Sequence, residues 1–378
     1  MTSLFQSDAL ALFTELAAIP SPSGTERAVA DRVFEELRGL GLQPEVDDSG
    51  ATVGSDSGNV YARLEPTCAG TPIFFCAHFD TVVPTAAIEP VIEDGIVRNA
   101  AGTILGADNK AAIAAMIDGV RRVLVEGRQH AGIELVFTTC EETGCQGAAA
   151  FDMSRLSAQA GFVYDHAAPI GDVVVAAPYQ RTIDVVFSGR SAHAGINPED
   201  GRSAIQAAAR AVADLRLGRL DDETTANVGK IIGGTARNVV PDRCELVAEA
   251  RSRDETKLLP LVQEMVDAFA FAASVTDCDV ETQISGMYQG YRLDDGNAAL
   301  RLAFAGLESA GFEPRGVEVG GGADANVFNA RGLRCVNLAN GMMEIHTPDD
   351  HIAVADLEGM VEVTLALVDA ARETIPIS

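Results

Sequence analysis

Acidic and histidine side chains follow several short apolar segments of this sequence, each near the point where a segment ends. Such apolar runs are typical of buried strands, and in open α/β sheets the functional site forms at the carboxyl ends of the strands. Charged side chains are almost never fully buried unless a partner or a cation neutralises them. The residues in these positions are His78 with Asp80, Asp108, Glu141 with Glu142, Asp165, and His346.

These carboxylates need a positive partner, and Lys110 is the only basic residue close to them in sequence. A pair of divalent cations would neutralise several converging carboxylates at once. A mixed set of imidazole and carboxylate ligands suits zinc, and manganese or cobalt would also accept it. Each residue alone has an ordinary alternative, because an Asp before a helix commonly caps it and a lone His commonly forms core hydrogen bonds. The joint pattern across five segments favours a two-metal site.

Glu141 and Glu142 are adjacent at the end of an apolar run, so their side chains point in different directions. Glu142 can therefore face metal ions while Glu141 faces a water molecule between them. Two metals about 3.5–4 Å apart lower the pKa of such a water and polarise a scissile carbonyl. Glu141 would take the water proton and later deliver it to the leaving amine. The structural alternative for both residues is a solvated acidic turn.

The elements that must position these residues alternate between strand and helix. Short apolar runs predict buried strands, and segments with helical periodicity separate them. This alternation implies a largely parallel sheet with helices on both faces. The predicted strands are 73–77, 133–139, 161–164 and 335–338, and the predicted helices are 4–18, 25–39, 111–125, 298–310 and 354–371.

The middle of the chain, residues 180–288, has a different pattern. Alternating strands at 181–188 and 244–250, with helices at 203–215 and 257–271, predict a compact β-α-β-β-α-β unit of ferredoxin-like type. A chain of 378 residues also suits two domains. We therefore predict an α/β fold in which residues 1–179 and 289–378 form a large, mostly parallel-sheet domain, and residues 180–288 form an inserted, smaller α+β lid domain.

The charge and cysteine content restrict the partners and the compartment. With 28 Lys and Arg against 55 Asp and Glu, the net charge of -27 repels nucleic acid and anionic membrane surfaces. Seven cysteines, an odd number without regular spacing, favour a reducing compartment. The first basic residue is Arg27, and no apolar run is long enough to span a bilayer. We expect a cytoplasmic protein that binds neither nucleic acid nor membrane.

An ordered series of motifs runs from about Pro20 to His351: HFD, GADNKAA, EET, YDH, GRSAHAG, NVVPD, GGGAD and a late histidine, His346. This series resembles the co-catalytic zinc peptidases, a family that includes peptidase T, aminoacylase, glutamate carboxypeptidase and succinyl-diaminopimelate desuccinylase. The order of the whole series is far more specific than any one motif. The resemblance implies a catalytic domain with two metals and a lid domain through which two copies associate.

Within this resemblance the five candidate ligands divide between two metals. His78 and Asp165 would bind one metal, Glu142 and His346 would bind the other, and Asp108 would bridge both. Each of these residues stands where the family motif has its ligand.

The resemblance also implies supporting roles. Asp80 would hydrogen-bond the ring of the metal-bound histidine before it and fix its orientation. His193 would stabilise the carbonyl oxyanion or bind a substrate carboxylate, in its own active site or that of a partner subunit. Asn238 and Arg251 would hold polar groups of the substrate, since a guanidinium suits a carboxylate. Gly321 would allow close approach of backbone to a ligand. Each of the last four residues has a structural alternative: a loop at a helix start for His193, a turn for Asn238, a solvated strand end for Arg251 and a glycine turn for Gly321.

Two positions depart from the family pattern. Cys140 precedes the Glu pair where many relatives have an acidic or prolyl residue. His166 follows Asp165 where a small residue is usual, so it is either a competing ligand or a supporting or surface residue. Asp165 itself, rather than Glu, is similar to the aminopeptidase members.

We therefore predict a metallopeptidase that releases the N-terminal residue of short peptides and forms a homodimer. An N-acyl-amino-acid amidohydrolase would use the same chemistry on an acyl group and stays an alternative. A non-catalytic metal-binding protein is disfavoured, because every ligand position and Glu141 are present. A dinucleotide enzyme is also disfavoured, because the glycines around Asp108 lack the G-x-G-x-x-G spacing and its charge would repel pyrophosphate.

Overall fold

The computed structural model describes residues 8–374, so part of the predicted helix 4–18 lies outside the described residues. The helices, α1 to α10 in chain order, are Asp8–Ala17, Arg27–Gly39, Ser49–Val53, Ala107–Val125, Gln146–Ala150, Ala204–Asp214, Glu255–Val275, Ala298–Ser309, Asp324–Ala330 and Val354–Glu373. The strands, β1 to β18, are Glu45–Val46, Val60–Leu64, Ile73–His78, Pro90–Glu93, Ile96–Asn99, Ile133–Thr138, Ala160–His166, Asp172–Ala177, Tyr179–Ser188, Gly218–Arg219, Thr224–Gly233, Arg243–Ser252, Asp279–Ser285, Tyr291–Arg292, Arg315–Glu318, Cys335–Ala339, Met342–Met343 and His351–Ala353.

The chain divides into two compact units. Of the described residues, the first comprises 8–176, Leu293–Glu318 and 323–374. The second comprises Ala177–Arg292 and Val319–Gly322. It stays a prediction that the first unit is the catalytic domain and that the second is a lid.

The first unit is built on a sheet whose strand order is β1-β2-β6-β3-β7-β16-β8, with β15 beside β8. Its central strands β6, β3, β7 and β16 are parallel. All four predicted buried strands form this central group. The predicted α/β class with a mostly parallel sheet is confirmed.

Helices cover both faces of this sheet because neighbouring residues of a strand point to opposite sides. On β3, the Phe75 ring lies 5.7 Å from that of Phe162 and belongs to the core that also contains residues of α4. The adjacent Phe74 faces the other side, where its ring lies 4.7 Å from that of Phe328 in α9. Gly161 of β7 makes room for this packing, since a Cβ there would lie 1.8 Å from the Phe74 ring.

A small antiparallel sheet of the same unit, ordered β17-β18-β5-β4, was not predicted from the sequence. Its strands have two to four residues each, too short for a long apolar run or a clear alternation, and every residue of β4 is exposed or half-buried. This sheet includes β17 and β18, which flank the loop that carries His346.

The second unit contains a sheet with the order β10-β11-β12-β9-β13 and the helices α6 and α7. Its four long strands are antiparallel, and their sequence order β9-α6-β11-β12-α7-β13 is the predicted β-α-β-β-α-β arrangement. One face packs on the helices, with the Phe187 and Phe269 rings 6.4 Å apart and nearly perpendicular. The ferredoxin-like prediction for this segment is confirmed.

Contrary to the expectation from the sequence, one described helix, α7, is long and apolar enough to cross a membrane by length and composition. One such helix is weak evidence, because the core helix of a soluble protein passes the same test. Leu258, Met265 and Phe269 of α7 are buried in the core of the second unit.

Candidate metal centre

The parallel strands of the first unit place the predicted ligands at one sheet edge. In the pairing of β3 with β6, His78 lies opposite Thr138, just before the segment with Glu141 and Glu142. In the pairing of β3 with β7, Cys76 lies opposite Val163, so Asp165 is level with His78. Parallel strands end at the same edge, and the strand ends therefore bring distant parts of the chain together.

Asp108 stands between the two candidate histidine ligands. Its Oδ1 lies 3.1 Å from Nε2 of His78, and its Oδ2 lies 3.2 Å from Nε2 of His346. Asp165 Oδ1 is 3.4 Å from the same His78 nitrogen, and Glu142 Oε1 is 2.9 Å from the His346 nitrogen. The structure thus forms two clusters that share Asp108, with the division that the family resemblance implies. Within each cluster, the candidate ligand atoms lie within 4.8 Å of one another.

The clusters contain more negative than positive charge. Although burial opposes it, the charge of Asp165 and hydrogen bonding with Asp108 raise the pKa of His78 well above its ordinary value. Hydrogen bonds with Asp108 and Glu142 raise the pKa of His346 to about 10. Burial raises the pKa of Asp165 to about 8. Each raised pKa means that the protonated form of the group, which is the more positive one, is favoured in this surrounding. A divalent cation would supply the same positive charge.

The donor chemistry fits such cations. Nδ1 of His78 lies 2.8 Å from the backbone carbonyl oxygen of Asp80, which can only accept, so Nδ1 carries the hydrogen. In its neutral form the ring would then have its lone pair on Nε2, the nitrogen that faces Asp108 and Asp165 and would bind a metal. Two imidazole nitrogens and three carboxylates form a donor set suited to zinc, manganese or cobalt.

The Asp80 carboxylate lies 3.5 Å from Nδ1 of His78, whereas the backbone carbonyl oxygen of Asp80 lies 2.8 Å from the same nitrogen. Its Oδ1 instead accepts the backbone N–H of Glu141 at 2.9 Å, and its Oδ2 accepts the backbone N–H of Glu142 at 3.1 Å. Oδ2 also accepts a hydrogen bond from the Ser23 hydroxyl at 2.6 Å. Asp80 therefore holds the turn that carries the two glutamates.

A second buried carboxylate, Glu26, supports the start of this turn. Its Oε1 accepts the backbone N–H of Cys140 at 3.0 Å, and its Oε2 accepts the Ser55 hydroxyl. Cys140 has a positive φ of 53°, an uncommon conformation for a residue with a side chain. The hydrogen bonds on both sides hold the chain in this conformation, so that Glu141 and Glu142 diverge from one another.

Glu141 lies beside two residues that the sequence analysis left out of the site, Cys145 and Asp324. The Cys145 thiol donates to Oε1 of Glu141 at 3.2 Å, and the candidate ligand atoms of the three residues lie within 4.8 Å of one another. Burial, followed by the charge of Asp165, raises the pKa of Glu141 well above its ordinary value. A carboxyl with a raised pKa holds a proton more readily than a solvated glutamate does, as a group that takes up and returns a proton requires.

Asp324 and Asp350 were both within reach of sequence reasoning. Asp324 ends the GGGAD motif, and Asp350 lies in the segment HTPDDH that carries His346. Burial raises the pKa of each carboxyl to about 6. An acidic residue near a glycine turn or the start of a helix commonly caps backbone N–H groups. Because this ordinary role is sufficient to explain such a residue, neither Asp324 nor Asp350 was singled out from the sequence. His166 belongs to none of the three ligand clusters found among residues 8–374.

The four predicted substrate-binding residues lie in the second unit. His193 and Asn238 are in adjacent loops, joined by a hydrogen bond from the Ala194 N–H to the Asn238 carbonyl at 3.0 Å. Arg251 donates to the Glu249 carboxylate at 2.9 Å. A Cβ at Gly321 would meet nothing within 4 Å, so packing does not demand glycine there. Their contact with substrate stays a prediction.

Comparisons with known proteins agree with the motif order. A model described as a peptidase dimerisation domain matches residues 180–276, and one described as peptidase family M28 matches residues 59–181. The protein YqjE of Bacillus subtilis is 37% identical over 361 residues, which cover 96% of this chain and 97% of that protein.

Two solved structures match nearly the whole chain. The aminopeptidase PepT from Bacillus cereus is 37% identical, has a TM-score of 0.85, and the match covers 96% of this chain and 98% of that one. A tripeptidase from Staphylococcus aureus is 32% identical, has a TM-score of 0.90, and the match covers 97% of this chain and 98% of that one. With this identity along nearly its full length, the chain belongs to the family of peptidase T-like metallopeptidases.

Proposed function

We propose that the protein is a two-metal aminopeptidase that removes the N-terminal residue from short peptides. The observation that carries this proposal is Asp108, whose two oxygens each face one imidazole at 3.1 and 3.2 Å. A carboxylate shared in this way suits two cations rather than one. The likeness to a solved aminopeptidase and a solved tripeptidase supports this peptide specificity.

His78, Asp165 and Asp108 would hold one ion, and Glu142, His346 and Asp108 the other. When bound, the two ions would lower the pKa of a water molecule and polarise the substrate carbonyl. We propose zinc, because the donor set mixes imidazole with carboxylate, and manganese or cobalt as substitutes.

Glu141 then moves the proton. Its carboxylate takes a proton from the attacking water as the water oxygen bonds to the carbonyl carbon. When the carbon–nitrogen bond breaks, Glu141 returns that proton to the leaving amine, so the carboxylate is regenerated. Asp80 holds Glu141 and Glu142 through their backbone N–H groups, at 2.9 and 3.1 Å, while this proton moves.

We further propose a homodimer and a cytoplasmic location. The match of residues 180–276 to a peptidase dimerisation domain supports association through the second unit. His193 would then act on substrate in its own or in the partner's site. All seven cysteines are free, which supports the proposed location.

The test uses the purified protein with zinc and three matched substrates: a tripeptide, the same tripeptide with an acetylated N-terminus, and an N-acetyl amino acid. We expect release of the N-terminal residue from the free tripeptide alone, because an aminopeptidase needs a free N-terminal amine. Hydrolysis confined to the N-acetyl amino acid would instead identify an amidohydrolase. Release of the C-terminal residue would also contradict the proposal.

A further inference from the structure

One buried carboxylate outside the ligand set joins the two loops that carry Asp108 and His346. Oδ2 of Asp350 accepts backbone N–H groups from Leu105 at 2.9 Å, Gly106 at 2.7 Å and Ala107 at 3.4 Å. These residues immediately precede Asp108. Asp350 itself follows His346 by four positions, in the segment HTPDD.

We propose that Asp350 is a positioning residue for the metal centre, which sets the place of Asp108 by holding the backbone in front of it. The proposal rests on the two-metal function proposed above. Asp350 would act through hydrogen bonds to backbone, and it would neither bind metal nor touch substrate.

The backbone before Asp108 needs such a partner. Ala107 is the first residue of helix α4, but Asp108 and Asn109 after it have non-helical φ/ψ. The N–H groups of Leu105, Gly106 and Ala107 therefore precede the regular part of the helix, which offers them no acceptor. Gly106 adopts a positive φ of 78°, and Asp108 departs from helical geometry with ψ of 105°. Asp350 supplies the missing acceptor to all three of these N–H groups. The turn that aims Asp108 at both histidines therefore depends on a residue more than 200 positions away.

The same residue also ends the loop of His346. The Asp350 N–H donates to the Thr347 carbonyl at 3.2 Å, and the Thr347 hydroxyl donates to the Glu344 carbonyl at 2.6 Å. The His346 side chain is 45% exposed and its φ is +63°, so side-chain packing contributes little to its position. Besides the contacts of its ring with Asp108 and Glu142, its place depends on the loop, and Asp350 fixes one end of that loop to the Asp108 turn.

The cost of burying Asp350 supports a functional reason for its charge. The residue is 2% exposed, and its Oδ1 has no hydrogen-bond partner within the described part of the chain. Buried carboxylates are costly unless they are fully hydrogen-bonded, and incompletely satisfied groups are uncommon outside functional sites. A charged acceptor is retained here because it binds three N–H groups more strongly than a neutral one.

The test compares Asp350→Asn with Asp349→Asn. Both changes remove one negative charge from the same loop, but the Asp349 side chain is exposed and the Asp350 side chain is buried. Asp350→Asn keeps the size of the side chain, so the fold should be retained, and a thermal melt checks this. Asp350→Glu restores the charge with a longer side chain.

Zinc affinity is measured by competition with a chromogenic chelator, and kcat and KM are measured at saturating zinc. We expect Asp350→Asn to weaken zinc binding by about 10- to 100-fold, as for other residues that orient metal ligands, with kcat lowered more than KM is changed. Asp350→Glu should recover part of the affinity, and Asp349→Asn should stay within about twofold of the parent.

Parent-like zinc affinity in Asp350→Asn would overturn the proposal, whether or not the melting temperature falls, because a purely structural role predicts lower stability without weaker metal binding. Equal losses in Asp350→Asn and Asp349→Asn would also overturn it, since loop charge alone would explain them. The zinc measurement needs no substrate. If the parent cleaves no peptide but Asp350→Asn still loses zinc, the proposed function fails and the positioning role stands.

Discussion

The Asp80 carboxylate, two residues past the end of β3, accepts the backbone N–H of Glu141 at 2.9 Å and so holds the proposed base. The neighbouring N–H of Glu142 binds the second oxygen of the same carboxylate at 3.1 Å. One side chain thus fixes both the proposed base and a proposed ligand, although these glutamates lie 61 and 62 positions further along the chain.

Asp80→Asn should lower kcat by about 10- to 100-fold, the usual effect of losing a group that orients a metal site. An Asn side chain has one acceptor, so one of the two N–H groups would face an amide donor. The measurement is kcat at saturating zinc. Ser23→Ala is the control, since it removes a donor to the same carboxylate and leaves both glutamate bonds. An equal loss in both variants would contradict this prediction.

Glu141→Gln should keep both metals and lose turnover by about 100- to 10,000-fold, because an amide cannot accept the water proton. Glu142→Gln should lose metal instead, since its Oε1 lies 2.9 Å from Nε2 of His346 in the second cluster. Metal content and kcat of the two variants together separate the roles of these adjacent residues. Parent-like activity in Glu141→Gln would remove it from the base role.

His346→Ala should lose one metal equivalent while the protein stays folded. Its side chain is 45% exposed, so its removal leaves no core cavity. His351→Ala removes a half-buried histidine from the neighbouring strand and should retain both metals. Metal analysis after dialysis and a thermal melt provide the two measurements. Two equivalents of metal in His346→Ala would exclude it as a ligand.

His130, which lies just before β6, should make the folded protein less stable as the pH is lowered. Burial lowers the pKa of His130, and its Nδ1 has no hydrogen-bond partner among the described residues. The folded state therefore keeps this ring neutral, whereas the unfolded chain binds a proton below a pH of about 6.5. Because the unfolded state then binds more protons, the folded state loses stability as the pH falls below that value.

The His130→Asn variant lacks this pH-dependent loss of stability. The melting temperature of the variant, relative to that of the parent, should rise as the pH is lowered from about 7.5 to about 5.5 across the ordinary histidine pKa. Thermal melts at several pH values check this. A difference in melting temperature that stays constant across this pH range would mean that His130 has the same pKa in the folded and unfolded states.

Much of the fold was predictable because its signals are local. The central strands are short apolar runs, and the helices that cover them have clear periodicity, so β3, β6, β7 and β16 were recognised as buried strands. The β4–β5 hairpin was missed because its strands are short and many of their side chains are exposed. Pairing in this small sheet depends on β17 and β18, which come more than 200 residues later.

The sequence by itself determined which residues form the candidate site, because His78, Glu142 and Asp165 follow strands that must end at one sheet edge, and their order matches a known family. Only the tertiary structure decided how they are held. Asp80 binds the glutamate turn, and Asp350 binds the turn before Asp108. These contacts join residues distant in sequence through backbone N–H groups, and backbone groups are the same in every residue, so no sequence pattern marks them.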